Sequence, residues 1–167
     1  MCDCCAPPDG WTRRRLLAAG GVAGLALALP ASRVRAQGPE ILPRSVWAGD
    51  LPAGPISPDP DVRVLVVHHT VNANSYADGD VAALLRSIHG FHTGPDKGWP
   101  DVADNFFVDR FGRVWEGRAG SLDGPVAGDA TGGNQGFDQK CAFVGDHRTE
   151  PPSAEAQAAM VALVAML

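Results

Sequence analysis

The segment from Val62 to Val71 restricts this chain more than any other stretch. Val62, Val64, Leu65, Val66 and Val67 are apolar and mostly β-branched, and the run ends in His68-His69-Thr70. β-branched side chains lose little freedom in an extended backbone. A near-continuous apolar run, unlike an alternating one, predicts a buried strand. Neighbouring strand residues point to opposite faces, so His68 and His69 are not expected to bind one ion together, and periodicity does not choose between them.

Downstream, Val81, Leu84, Leu85 and Ile88 recur at helical spacing, which predicts a helix capped by Asp78 or Asp80 and running to about Phe91. Gly94-Pro95 stops it and the turn-rich Gly98-Trp99-Pro100-Asp101 follows. Asn105 to Asp109 and Arg113 to Arg118 read as two strands of a hairpin around Phe111-Gly112, with Gly112 supplying a positive φ. Residues 119–138 are glycine-rich and read as a long surface loop. Gln139 to Gly145 predicts another buried strand. Ser153 caps a last helix whose buried face is Met160, Leu163, Val164 and Leu167. That apolar stripe is still running at Leu167 without a cap, so the domain is expected to continue.

Charge narrows the partners. The whole chain carries a formal −5, but residues 1–36 hold five Arg and two Asp, which leaves 9 basic and 17 acidic side chains beyond them, a net −8. A nucleic-acid or polybasic membrane surface is therefore not expected. Thr12-Arg13-Arg14-Arg15-Leu16-Leu17 is a twin-arginine signature, and the apolar stretch from Leu16 to Leu29 is too short to span a bilayer comfortably. Val34-Arg35-Ala36 places cleavage before Gln37. Residues 1–36 thus read as a twin-arginine signal peptide that removes Cys2, Cys4 and Cys5. Residues 37–61 read as a Pro- and Gly-rich extended lead-in anchored by Trp47, and 62–167 as the folded domain. The product is expected to be exported to the extracellular space or cell wall, with no stable membrane span after cleavage. Cys141, in an apolar run, reads as a buried small residue. No Gly-x-Ser-x-Gly supports a serine hydrolase.

The motifs Val66-Val67-His68-His69-Thr70, Gly98-Trp99-Pro100-Asp101-Val102-Ala103-Asp104-Asn105-Phe106 and Asp109-Arg110-Phe111-Gly112-Arg113-Val114-Trp115-Glu116-Gly117-Arg118 occur in that order. Together they resemble the type 2 N-acetylmuramoyl-L-alanine amidases, which share a fold with the peptidoglycan recognition proteins. The likeness runs over about residues 42–167. It implies an α/β fold, a central mixed β-sheet flanked by helices. It also implies zinc-dependent hydrolysis of the amide between N-acetylmuramic acid and L-alanine in peptidoglycan.

A hydrolytic zinc takes three protein ligands and keeps an open position. The resemblance assigns the first ligand to His68, leaves His69 to packing or support, and puts the other two ligands after the last helix, past the end of this sequence. His147 then reads as a surface residue. His92 matches a histidine that lines the family's groove; the competing reading has it bonding the helix's last carbonyls. Asn105 and Arg118 match positions near the groove or within the hairpin, and are candidate substrate contacts. Asp104 stands where relatives often have a catalytic Tyr, and reads as a base, a ligand or a surface carboxylate. Trp99 and Trp115 read as packing anchors. Ala130 and Ala142 occupy positions where relatives carry His and a general-base Glu. The expected partner is a muropeptide of peptidoglycan. The alternatives to an amidase are a non-catalytic peptidoglycan-binding module and an inactive truncated remnant.

Overall fold

The computed structural model describes residues 38–130 and 136–167. The signal-peptide reading of residues 1–36 lies outside the described residues. Five strands form one sheet: β1 (Ile41–Leu42), β2 (Val64–His69), β3 (Phe106–Val108), β4 (Val114–Glu116) and β5 (Asp138–Phe143). Their order is β1-β4-β3-β5-β2. β3 and β4 are antiparallel, and the other three pairings are parallel. The three helices are α1 (Arg44–Ala48), α2 (Val81–Thr93) and α3 (Ala154–Met166).

The pleat sorts the central strands into two cores. Phe107, Trp115, Ala142 and Val144 face α1 and α2, meeting Trp47, Val81, Leu85 and Ile88. Phe106, Val108, Val114 and Cys141 face the opposite way, onto Ala156, Met160 and Leu163 of α3. Alternate residues of a strand leave on opposite sides, so Phe106 and Phe107 serve one core each. The mixed sheet flanked by helices is the architecture expected from the sequence, and full burial of each large apolar side chain stabilises it by about 1.5–3 kcal/mol.

The hairpin forms as expected. β3 and β4 pair Phe106 with Glu116 and Val108 with Val114. Asp109 Oδ1 closes the turn by accepting the Phe111 and Arg113 amides at 2.9 and 3.1 Å, and Gly112 has φ 80°. Trp115 is a packing anchor whose Nε1 donates to Asp109 Oδ2 at 2.9 Å.

Four expectations are corrected. β2 is not covered on both sides: it is the last strand of the sheet, and Val64 and Val67 remain 44% and 45% exposed. The lead-in is not merely extended. It carries β1, which pairs with β4, and α1, whose Trp47 is fully buried and donates through Nε1 to the Glu116 carbonyl at 2.7 Å. On α3 the buried face is Ala156, Met160 and Leu163, at i, i+4 and i+7, while Val164 and Leu167 are exposed. Ser153 does cap that helix, accepting the Ala156 amide at 3.1 Å. The glycine-rich segment is partly interior: Ser121, Ala127 and Gly128 are buried, and Asn105 Nδ2 donates to the Val126 carbonyl at 2.8 Å.

Candidate functional site

The C-terminal end of β2 delivers His68 to the face that α2 covers, in register with Ala142 of β5. Here α2, the segment following it and residues 70–72 enclose a cavity of about 410 Å³. His68, Thr70, Val71, Asn72, Phe91, His92, Trp99 and Asp104 are among the residues that line it.

His68 and Asp104 meet there, with Nε2 and Oδ1 2.6 Å apart. The other nitrogen, Nδ1, faces the His69 carbonyl at 3.3 Å. With an acceptor at each ring nitrogen, only the doubly protonated imidazole satisfies both contacts. The pKa follows that geometry. Burial alone pushes His68 down, and the Lys140 charge adds to this, but the hydrogen bond and charge of Asp104, helped by the His69 carbonyl, outweigh both and raise it above 6.5. Asp104 is only 2% exposed, so its reading as a surface carboxylate is overturned.

The backbone around Asp104 is fixed by residues the sequence offered for other roles. The Asp104 carbonyl accepts the Arg118 amide at 2.9 Å. A Cβ on Gly117 would lie 2.3 Å from that same carbonyl oxygen and 2.8 Å from Phe107, so this approach requires glycine. Asp101 ties the segment down, accepting from Arg44 Nη2 at 3.0 Å, the Val102 amide at 2.8 Å and the Ala119 amide at 2.9 Å.

Asn105 and Arg118, the other two candidate substrate contacts, do not line the cavity among its described wall residues. Asn105 is fully buried, and its amide links Val126 to the Lys140 backbone, whose N–H it accepts at 2.8 Å. Arg118 pairs with Asp129 at 2.6 Å and donates to the Val102 carbonyl at 3.1 Å. These bonds hold neighbouring loops together, and Arg118 Nε is buried without a partner among the described residues.

His92 sits in the cavity wall rather than closing its helix. Its Nδ1 accepts the Ala103 amide at 3.1 Å, which fixes the tautomer with the proton on Nε2. Its ring lies 4.9 Å from that of Trp99. Burial lowers its pKa; the Asp104 charge opposes this, and nearby cations including Lys97 add to the lowering. Trp99, read as a packing anchor, is part of the wall.

His69 also borders the cavity, and its imidazole turns to the segment that follows β5. Its Nδ1 accepts the His147 amide at 2.9 Å. His147 is half-buried rather than a surface residue, with Phe143 edge-on to its ring at 5.8 Å. Cys141 is fully buried and its thiol is pushed up to about 12 by burial.

Sequence reasoning missed the wall made by residues 70–72. Val71 has φ 60°, which a β-branched residue rarely adopts, and is held there as its amide donates to the Gly145 carbonyl at 2.8 Å. Asn72 Oδ1 is buried without a partner among the described residues. Phe91, 59% exposed at the end of the predicted helix, was legible only as a helical residue.

The donors among the described residues do not make a zinc site. Among the described residues no three His, Cys, Asp or Glu side chains gather to hold an ion. The two that meet, His68 and Asp104, face one another, and His92 Nδ1 is already occupied.

The family profile described as N-acetylmuramoyl-L-alanine amidase matches residues 58–167. Peptidoglycan-recognition protein LE of Drosophila melanogaster is 31% identical over 117 residues, covering 70% of this chain and 32% of that protein. Peptidoglycan-recognition protein SC1a/b of Drosophila simulans is 29% identical over 97 residues, covering 58% of this chain; the chain spans only 52% of that relative's length. Among solved structures, human PGRP-IBETAC in complex with glycosamyl muramyl pentapeptide aligns with a TM-score of 0.64 at 28% identity, covering 77% of this chain and 74% of that one. The order of motifs, the mixed sheet and these matches agree: the chain belongs to the N-acetylmuramoyl-L-alanine amidase family and is a relative of the peptidoglycan-recognition proteins.

Proposed function

We propose that the cavity binds the muramyl-peptide portion of peptidoglycan. The observation that carries this reading is the cavity's composition. Its wall combines a charged, buried pair, His68 and Asp104, with the aromatic rings of Phe91, His92 and Trp99. Aromatic faces suit the apolar side of a sugar or a peptide stem, while fixed polar groups set its orientation. The human relative solved with a glycosamyl muramyl pentapeptide supports that ligand class. A cell-wall ligand also agrees with export to the extracellular space or wall, the expectation drawn from residues 1–36.

Hydrolysis of the amide between N-acetylmuramic acid and L-alanine is the second reading. It is favoured by His68, the family's first zinc-ligand position, standing in the cavity beside a buried carboxylate. Zinc would be the cofactor of that activity, and the donors described above leave its site incomplete.

Titration calorimetry with a muramyl pentapeptide tests the first reading, repeated with equimolar zinc and followed by mass spectrometry of the products. Saturable binding that Trp99→Ala weakens at least several-fold is expected. Absence of binding to the parent protein would sink the proposal. Release of free peptide stem in the zinc arm would establish the hydrolase as well.

A further inference from the structure

The turn between α2 and β3 carries a cation at the aromatic end of the cavity. Lys97 is exposed, and its Nζ lies 5.1 Å from the centre of the Trp99 ring and 5.6 Å from that of Phe91. Both rings belong to the cavity wall. The turn that presents it is closed by the Lys97 and Gly98 amides donating to the Gly94 carbonyl at 3.2 and 2.7 Å. Gly98 adopts φ 60° there. A flexible lysine resting on two aromatic faces is restrained by cation–π attraction while keeping its three donors open. Among the described residues no carboxylate pairs with it, although Arg44, Arg113, Arg118, Lys140 and Arg148 all have one. Its field reaches inside the cavity, since it helps hold the His92 imidazole low, after burial. The cavity wall therefore holds a mutually neutralised pair, His68 and Asp104, and an uncommitted ammonium on the Phe91 and Trp99 rings.

We propose that Lys97 is a specificity-determining residue that reads a free carboxylate on the peptide arm of the bound muropeptide. The inference rests on the muropeptide reading above and deepens it. A carboxylate laid across the Phe91–Trp99 edge meets the ammonium without leaving solvent. The His68–Asp104 pair carries no net charge to compete for the same group, so the ammonium sets where the carboxylate lies. A stem whose carboxylate is amidated keeps the ring contacts and loses the charge contact.

The test uses two synthetic muramyl peptides, identical except that one bears a free α-carboxylate on its second residue and the other the carboxamide. Affinities are measured for the parent chain, Lys97→Met and Lys97→Arg. Methionine keeps the aliphatic stem on the rings, and the exposed position leaves the core untouched. Exposed ion pairs correspond to a preference of about three-fold. The parent and Lys97→Arg should show that preference for the carboxylate form at low salt, and it should shrink as ionic strength rises. Lys97→Met should bind both forms alike, with its affinity for the carboxamide unchanged. Equal affinity of the parent for the two peptides overturns the inference, as does a preference that survives in Lys97→Met; in both cases muropeptide binding itself stands. Failure of the parent to bind either peptide overturns both readings.

Discussion

Replacing Asp104 by Asn removes one negative charge from a buried contact and leaves a side chain of the same shape. The Asp104 carboxylate lies 2.6 Å from His68 Nε2, and the two side chains are 2% and 23% exposed. Two unit charges 4 Å apart interact by about 4 kcal/mol at an effective dielectric of 20, and solvent at the imidazole reduces this. Hydrogen bonds to charged groups contribute about 1.5–3 kcal/mol, so about 2 kcal/mol is expected where His68 is protonated. Because the His68 pKa is raised in the fold, its contribution is fully present below the unfolded value of 6.5 and is lost as pH rises through the folded value. The Asp104→Asn penalty should therefore be about 2 kcal/mol at pH 5.5 and about 1 kcal/mol at pH 9. At about 4 °C per kcal/mol for a domain of this size, the thermal midpoint drops by about 8 °C and about 4 °C respectively. His92 is lowered by burial against an upward pull from the Asp104 charge, so Asp104→Asn lowers it further and adds to the penalty at pH 5.5 with the same sign; its midpoint is followed in the same titration. Proton NMR of the imidazole should show the His68 midpoint falling in the variant, because only the His69 carbonyl then opposes burial and Lys140. Equal losses of stability at both pH values, or an unmoved midpoint, would refute the argument.

Gly117→Ala drives a methyl group into the Asp104 carbonyl and the Phe107 ring, and should cost about 2–3 kcal/mol in a denaturant titration. Val71→Asn places a residue tolerant of left-handed backbone at φ 60°, with little burial to lose at 51% exposure. It should raise stability by about 1 kcal/mol, read as a higher denaturation midpoint. Cys141, fully buried with its thiol pushed up to about 12, should react with a thiol reagent only under denaturing conditions; rapid labelling of the native protein would contradict its placement.

Elements whose pattern is local were legible in the sequence. The stripe Val81, Leu84, Leu85 and Ile88 announces α2, and the Asp109–Gly112 turn announces the hairpin, because each follows from a helical or two-residue repeat and nearby turn chemistry. Features fixed by distant partners were not. β1 is two residues long and becomes a strand only because β4 supplies its hydrogen bonds. The apolar run of β2 reads as interior, yet its position in the sheet leaves one side open, which no feature of Val64 to Val67 encodes. The candidate site divides along the same line. His68 and His92 were found through motif resemblance, and the structure brings both to one cavity. Asp104 was ambiguous because a single carboxylate in a short irregular segment has no periodicity from which burial can be inferred. Asn105 and Arg118 have motif positions close to the site, but they lie outside the described cavity wall, with Asn105 bonded to the backbone of Val126 and Lys140 and Arg118 paired with Asp129.

The strand order β1-β4-β3-β5-β2 has a bearing on how the protein can be made. Both outer ribbons of the sheet, residues 41–42 and 64–69, leave the ribosome before any of the central three. Neither can dock until Val114–Glu116 and Asp138–Phe143 have been synthesised. Until residue 143 has been made β2 has no partner, so closing the sheet depends on distant pairings, which are slow to form. During that wait the apolar run Val64–Val67 stands unpaired and open to association with other chains, which makes synthesis the stage at which this protein is most exposed to aggregation.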